Sequence, residues 1–300
     1  MRNQRILITG AAGQLGFPVA VDLARENQVW GIARFANGAN RQRLELANVS
    51  TASVDLADPD WQVLPEHFDY VLHFAADITG ADFDQALRVN AEGTGALMSQ
   101  YRRAKAILIV SSSVVYDLHS DPKHKFTETD ALGDSKPLFG PTYSVSKIAE
   151  EAVARTLCRT LKVPTVIARM NLSYGVNGGL PAYQLDAILR GDAVTIADHE
   201  TFHNPIFQDD VVRSVPLLLE AATIPATITN WGGNETVSMR SYCEELGRIV
   251  NREVRFEPLS RFMRSRAIDT TVQHALIGPC AVDWLDGMRL LVERRNQSGA

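Results

Sequence analysis

Apolar runs rich in β-branched residues recur through the first half of the chain, at Arg5–Thr9 and at residues 29–33, 70–74, 107–110 and 165–168. They are continuous rather than alternating, which is what a strand needs when both of its faces are buried in a parallel sheet. Between them lie stretches whose aliphatic residues recur every three or four positions, at residues 15–26, 83–103 and 143–161, the spacing of one helix face. Strand and helix signals in alternation predict an α/β fold of parallel strands joined by crossover helices. The texture changes after Tyr174, where Gly175-Val-Asn-Gly-Gly is turn-rich, so the first contiguous unit is placed at residues 1–174. Residues 210–222 read as an amphipathic helix and residues 226–230 as a buried strand. We therefore expect residues 206–230 to return to the main sheet, leaving 175–205 and 231–300 as a smaller, mainly C-terminal region on the substrate side.

Composition narrows the partners. The chain has 300 residues, 45% hydrophobic and 22% charged, enough to bury one large core or two smaller ones. A net charge of −5 with the signs mixed along the chain leaves no basic stripe for nucleic acid or a membrane face, so a small molecule is the expected partner. No apolar run reaches spanning length, and the short apolar start is no signal-peptide core, which places the protein in the cytoplasm as an expectation. Cys158, Cys243 and Cys280 lack paired spacing, so they read as packing thiols and no metal site is expected.

The first apolar strand runs into Thr9-Gly10-Ala-Ala-Gly13-Gln14-Leu15-Gly16, three glycines spaced three apart before a helix. The first permits a tight turn, the second lets the backbone approach a pyrophosphate, and the third lets helix and strand pack closely. The helix N-terminus then offers unpaired N–H groups to an anion, so this turn reads as a dinucleotide cradle. Where the second strand ends, an acidic side chain would accept from the ribose 2′-hydroxyl of NAD; here the residues are Ala33 and Arg34. An arginine there suits a 2′-phosphate, with Arg41 and Arg43 downstream as further candidates, so NADP is favoured and NAD stays possible. Asp55-Leu56 is placed near the adenine, and Phe74-Ala75-Ala76 after His73 is a small-residue stretch that admits the cofactor. His73 itself reads as a packed core histidine.

Serines 111, 112 and 113 close a strand, and Tyr143-Ser-Val-Ser-Lys147 opens a helix about thirty residues on. Four residues apart on a helix, tyrosine and lysine share a face, so the ammonium stabilises a phenolate and fits the phenol for acid–base work. Together with Val89-Asn90-Ala-Glu-Gly-Thr94 and Asp209-Asp210-Val211, these segments resemble the extended short-chain dehydrogenase/reductase family, which contains NAD-dependent epimerases and dehydratases. The resemblance spans nearly the whole chain and implies a Rossmann-type, doubly wound parallel sheet. It implies Ser112 as the catalytic hydroxyl, Tyr143 as acid/base, Lys147 as the residue that holds the nicotinamide ribose and lowers the tyrosine pKa, and Asn90 as a helix position near the site. It also implies a homodimer built on residues 83–103 and 143–161.

Two departures bear on the substrate. Family 4,6-dehydratases carry an acidic residue just after the catalytic hydroxyl; here stand Ser113 and Val114, which disfavours elimination of water. The family's R-x-x-N-V-Y-G segment, whose asparagine touches sugar-nucleotide phosphates, has Leu172 at that position with Asn171 one earlier, and its R-D-F-I-H-V-D-D arginine is replaced by His203. Ser113, Asn171, His203 and Arg261 are carried as substrate candidates, with Arg264 and Arg266 as further members of a phosphate clamp. The expected activity is hydride exchange at a secondary alcohol or ketone, by an epimerase or reductase for which a nucleotide sugar is one candidate substrate. The alternative is a catalytically inactive NAD(P)-sensing protein of the same fold.

Overall fold

The computed structural model describes residues 1–36, 38–138, 140–260 and 262–297. Strands β1 (Arg5–Thr9), β2 (Gln28–Ala33), β3 (Ser50–Ser53), β4 (Tyr70–His73), β5 (Ala106–Ser112) and β6 (Thr165–Met170) are followed by the short pieces β7 (Ser173–Tyr174), β8 (Val194–Ala197), β9 (Phe202–His203) and β10 (Ile206–Phe207). Then come β11 (Thr227–Trp231), β12 (Val237–Ser238) and β13 (Phe256–Leu259). Seven of them form one sheet in the order β11-β6-β5-β4-β1-β2-β3, every neighbouring pair parallel.

Continuous apolar sequence is explained by burial on both sides. Ile6 and Ile8 of β1 join Leu72, Leu108 and Val166 in one core; the intervening Leu7 joins Val71, Ile107 and Ile167 in the other. Helices α1 (Gly16–Leu23) and α7 (Gln208–Glu220) cover the first face through Val19, Leu23, Val211 and Leu218. Helices α4 (Gly93–Gln100) and α5 (Tyr143–Leu161) cover the second through Leu97, Met98, Ala154 and Cys158. The remaining helices are α2 (Gly38–Leu46), α3 (Phe83–Leu87), α6 (Leu180–Arg190), α8 (Met239–Ile249), α9 (Thr271–Ile277) and α10 (Trp284–Gln297). Leu185, Tyr242, Leu246, Met288 and Leu291, drawn from α6, α8 and α10, make a separate third core with Val194 and Ile196 of β8.

From β1 the chain builds outward through β2 and β3, then crosses back to lay β4 on the opposite side of β1. In such a sheet the reversal opens a crevice at the carboxyl ends of the two strands, where ligands bind. The turn after β1 and the loop after β4 therefore face one another by topology.

Three stretches differ from the sequence expectation. Residues 83–103 are not one helix: α3 passes through a π-turn, Arg88–Glu92, before α4. Its cause is tertiary, since the Asn90 side chain inside it accepts from the Asp77 amide (2.7 Å) and donates to the Asp77 carbonyl (2.9 Å) and to Ser146 Oγ (2.9 Å). The edge elements α2 and β3 are regular although little in their sequence shows it: only Leu44 of α2 is buried. Finally, α9 sits on the sheet side, with Ile277 in the first core and Gln273 holding both backbone groups of Gly232 at 2.8 and 2.9 Å. Among the described residues no helix is long and apolar enough to cross a membrane, and no cluster of side chains would hold a metal ion.

Candidate active site

At the crevice two of the three glycines, Gly10 and Gly16, stand where no side chain fits. Gly10 has φ +65°, and a Cβ there would lie 2.7 Å from the Ala75 amide nitrogen; a Cβ on Gly16 would lie 2.4 Å from the Gly10 carbonyl oxygen. The turn is thus pressed against both the loop after β4 and its own helix. The cleft it borders, of about 430 Å³, is lined by Gly10, Gly13, Gln14, Leu15 and Gly16 on one wall. Asp55, Leu56, Phe74, Ala75 and Ala76 line the other, and Arg34 stands at the rim. Thr9 fixes the two walls to each other, since its Oγ1 accepts from the Ala75 amide at 3.1 Å. Gln14 ties the cradle to the second region by donating to the Ser173 carbonyl (3.0 Å). This backbone-lined cradle fits a dinucleotide pyrophosphate.

At the adenosine end, Ala33 offers no acceptor and Arg34 is exposed, its guanidinium without a carboxylate partner among the described residues. Arg41 is engaged by Glu45 and Thr51, both at 3.0 Å, and Arg43 lies over the Phe17 ring at 4.4 Å. Of the three basic candidates only Arg34 lines the cleft. Asn90 does not line the cleft; it holds the wall from behind through Asp77 and Ser146.

The catalytic candidates come together at the start of α5. Thr142 donates to the Gly80 carbonyl (2.8 Å) and Ser144 to Asp134 (2.8 Å), which anchors the helix N-terminus to the loop closing the cleft. Tyr143 is half-buried, with Ser112 as hydrogen-bond partner of its phenol. Lys147, one turn on, is buried, and its Nζ donates to the Val110 carbonyl at 2.8 Å and pairs with Glu150. The phenol stands above its ordinary value: burial raises it most, Lys147 pulls it down, Glu150 pushes it up, and the Ser112 bond lowers it. Lys147 does act on Tyr143 in the direction expected, but burial outweighs it. The ammonium alone does not set the phenol.

Ser113, Asn171 and His203 gather beside Arg266, although none of the three lines the cleft that Arg266 borders. The Asn171 amide nitrogen donates to Ser113 Oγ (3.2 Å) and to the Arg266 carbonyl (2.5 Å), while its oxygen accepts from the Asn204 amide (2.8 Å). Asn171 is thus a brace under this region. His203 is buried with Nε2 unpartnered among the described residues, and burial together with nearby Arg266 brings its pKa down to about 3. Arg266 is itself buried; burial and Arg264 beside it bring it down to about 10, against the pull of Asp117. Arg264 and Arg266 line a cleft of about 390 Å³ with His119, Asp121 and His199. Arg261 lies outside the described residues.

Sequence reasoning passed over Thr9, Thr94 and Glu150. His73, fully buried, joins Thr9 Oγ1 (2.7 Å, through Nδ1) to Thr94 Oγ1 (2.8 Å, through Nε2), and Nε2 lies 3.5 Å from Glu150. Only helical spacing hinted at Glu150: it stands seven residues after Tyr143 and three after Lys147, on the same face. Beside it, Glu151 is gripped by Arg169 and accepts from Ser111 (2.6 Å).

A profile of the NAD-dependent epimerase/dehydratase family matches residues 6–230. The chain belongs to this family. Curated relatives include the dTDP-glucose 4,6-dehydratase of Neisseria gonorrhoeae, 24% identical over 302 residues (88% of this chain, 85% of that protein). Another is dTDP-glucose 4,6-dehydratase 1 of Escherichia coli K12, 26% identical over 307 residues (87% and 82%). Among solved structures, a mutant UDP-glucuronic acid 4-epimerase from Bacillus cereus, in complex with a fluorinated UDP-glucuronic acid and NAD, superposes with a TM-score of 0.85 at 24% identity, covering 98% of this chain and 99% of that one. A UDP-N-acetylglucosamine 4-epimerase from Methanobrevibacter ruminantium, in complex with UDP-N-acetylmuramic acid, reaches 0.85 at 18% identity over the full length of both chains. As a family member, the chain has the Rossmann-like α/β architecture and is a nicotinamide-dependent enzyme in its broad class.

Proposed function

We propose that this family member is an epimerase or reductase that exchanges hydride at a secondary alcohol or ketone carbon of a nucleotide sugar. The observation that carries the reading is the meeting of Ser112, Tyr143 and Lys147 beside the switch-point cleft. Bound in the cradle, a nicotinamide dinucleotide supplies the hydride exchange. Tyr143 takes or returns the proton of the substrate hydroxyl, Ser112 holds the substrate oxygen, and Lys147 biases the phenol toward its anion. Unpaired Arg34 supports NADP as the preferred cofactor.

The neighbouring guanidiniums Arg264 and Arg266, the first close enough to lower the second and neither in an ion pair among the described residues, suit a diphosphate. They supply the charge that the displaced asparagine and the arginine-to-His203 exchange would otherwise remove. Although the curated relatives are named as dehydratases, 4,6-dehydration is left out of the reading. Ser113 and Val114 follow the catalytic hydroxyl, and the carboxyl groups of α5, Glu150 and Glu151, are buried against Lys147 and Arg169. A homodimer through α4 and α5 completes the proposal.

The test is turnover with UDP- and dTDP-hexoses and their 4-keto forms, each with NAD(H) and NADP(H), beside Tyr143→Phe. We expect epimerised or reduced product, lost in the variant. Cofactor binding without turnover on the whole panel would establish the cofactor-sensing protein instead, and a 4-keto-6-deoxy product would restore the dehydratase.

A further inference from the structure

Behind the catalytic pair lies a carboxyl group that the mechanism above does not use. Glu150 is fully buried on α5, its Oε2 against Lys147 Nζ. Its Oε1 lies 3.5 Å from His73 Nε2 and 3.4 Å from Thr94 Oγ1. Hydrogen-bond directions follow by elimination. Thr94 gives its proton to the Asn90 carbonyl (2.6 Å), so His73 Nε2 carries the hydrogen that faces Thr94 and Glu150, and Nδ1 of the neutral ring accepts from Thr9 Oγ1. Burial and the nearby Lys147 hold the His73 pKa down to about 3, so the ring is neutral and is no cation for Glu150. The charged and titratable groups facing the carboxyl are then Tyr143, Lys147 and Glu151 from its own helix and neutral His73 from β4; Arg169 of β6 is held by Glu151.

Taking the Tyr143–Lys147 reading as its basis, we propose that Glu150 is a positioning residue of the catalytic centre: by losing or holding a proton it cancels or releases the charge of Lys147, and so sets how strongly Lys147 favours the Tyr143 phenolate. Burial moves this carboxyl up to about 7, against the pull of Lys147, so the exchange falls in the working range of pH. Below that pH the ammonium acts on Tyr143 alone; above it, the carboxylate neutralises the ammonium and also repels a phenolate directly. A glutamine at 150 therefore locks in the low-pH arrangement.

The experiment is the pH profile of turnover and, independently of any substrate, the ultraviolet tyrosinate titration of cofactor-bound protein, with the Tyr143 signal assigned by its loss in Tyr143→Phe. Glu150→Gln should move the acid limb and the Tyr143 titration to lower pH by about one unit, a tenfold gain in phenolate at a fixed pH on that limb. Limbs that stay in place, or move upward, overturn the proposal. Infrared pH-difference spectra of the unaltered protein serve if the variant does not fold: a buried protonated-carboxyl band should vanish as pH rises through neutrality, and its absence equally overturns the proposal. Should Tyr143→Phe retain turnover, the functional reading fails by itself, while the tyrosinate and infrared arms still decide the coupling.

Discussion

Replacing Arg169 by methionine should destabilise the protein far more than replacing Arg169 and Glu151 together. The guanidinium is buried in β6, with Nε and Nη2 on the two oxygens of Glu151 at 2.9 and 2.7 Å and Nη1 donating to the Glu128 carbonyl at 3.0 Å. It also lies 4.9 Å from the centre of the Tyr116 ring. Methionine keeps most of the volume but leaves Glu151 in a buried site with the Ser111 hydroxyl for company. Breaking one side of such a pair costs about 3–5 kcal/mol, whereas exchanging both partners for neutral side chains is often close to neutral. In a chain of this size that is a fall in midpoint temperature on the order of 10 °C. Urea unfolding of Arg169→Met, Glu151→Gln and the double variant measures it. The single penalty should shrink as pH falls, because a stranded carboxylate relieves itself by protonation. Ser111 adjoins Ser112, so turnover of Arg169→Met should drop too. A loss below about 1 kcal/mol, against that range for a broken buried pair, or a double variant no more stable than the single one, would refute the view that this pair holds up the β5 end of the site.

Tyr143→Phe should lower turnover by about two to four powers of ten with cofactor affinity nearly unchanged, as steady-state kinetics and calorimetry would read it. Lys147→Ala should damage both, and a loss of only one would end the double role. NADP(H) should bind several-fold more tightly than NAD(H), and Ala33→Asp with Arg34→Ala should reverse the order; tighter NAD binding by the unmodified protein would show that Arg34 takes no part. His203 is held down to about 3 from 6.5, so the folded state binds fewer protons than the unfolded one, and stability present above pH 6.5 is lost as pH falls toward 3. The slope of unfolding free energy against pH in that window should be smaller in His203→Gln by about 1.4 kcal/mol per unit, and equal slopes would contradict the buried neutral ring.

What could be read from sequence follows how locally each feature is determined. The span of α5 is the same in the sequence and in the structure because its buried positions, Lys147, Glu150, Glu151, Ala154 and Cys158, keep helical spacing for its whole length. The cradle was legible because Gly10 and Gly16 answer to contacts within the turn itself and one facing loop. By contrast, the π-turn depends on Asn90 reaching Asp77, thirteen residues back, and Ser146, fifty-six ahead. No window of local periodicity contains either. Glu150 was illegible for a related reason: in Ala-Glu-Glu-Ala it looks like half of a solvated acidic pair, and only the arrival of His73 and Thr94 from other elements buries it.

The same reasoning explains why the substrate remained the least legible part. Substrate-side groups come from segments that the sheet brings together only after folding: Ser113 follows β5, Asn171 follows β6, His203 lies in β9, and Arg266 comes near the C-terminal end. They are braced by equally distant polar contacts. Tyr116 donates to Asn230 Oδ1 at 2.5 Å, and the Asn230 amide then donates to the carbonyls of Phe126 (2.8 Å) and Asp269 (3.0 Å), locking the loop after β5 to the strand edge and to the segment bearing the arginines. A buried network of this kind is satisfied as a unit, so one removed partner leaves others unpaired. The shape of the cleft that Arg264 and Arg266 line is therefore a property of the folded contacts more than of the residues lining it, and the Asn171 side chain serves there as a brace between Ser113, Arg266 and Asn204.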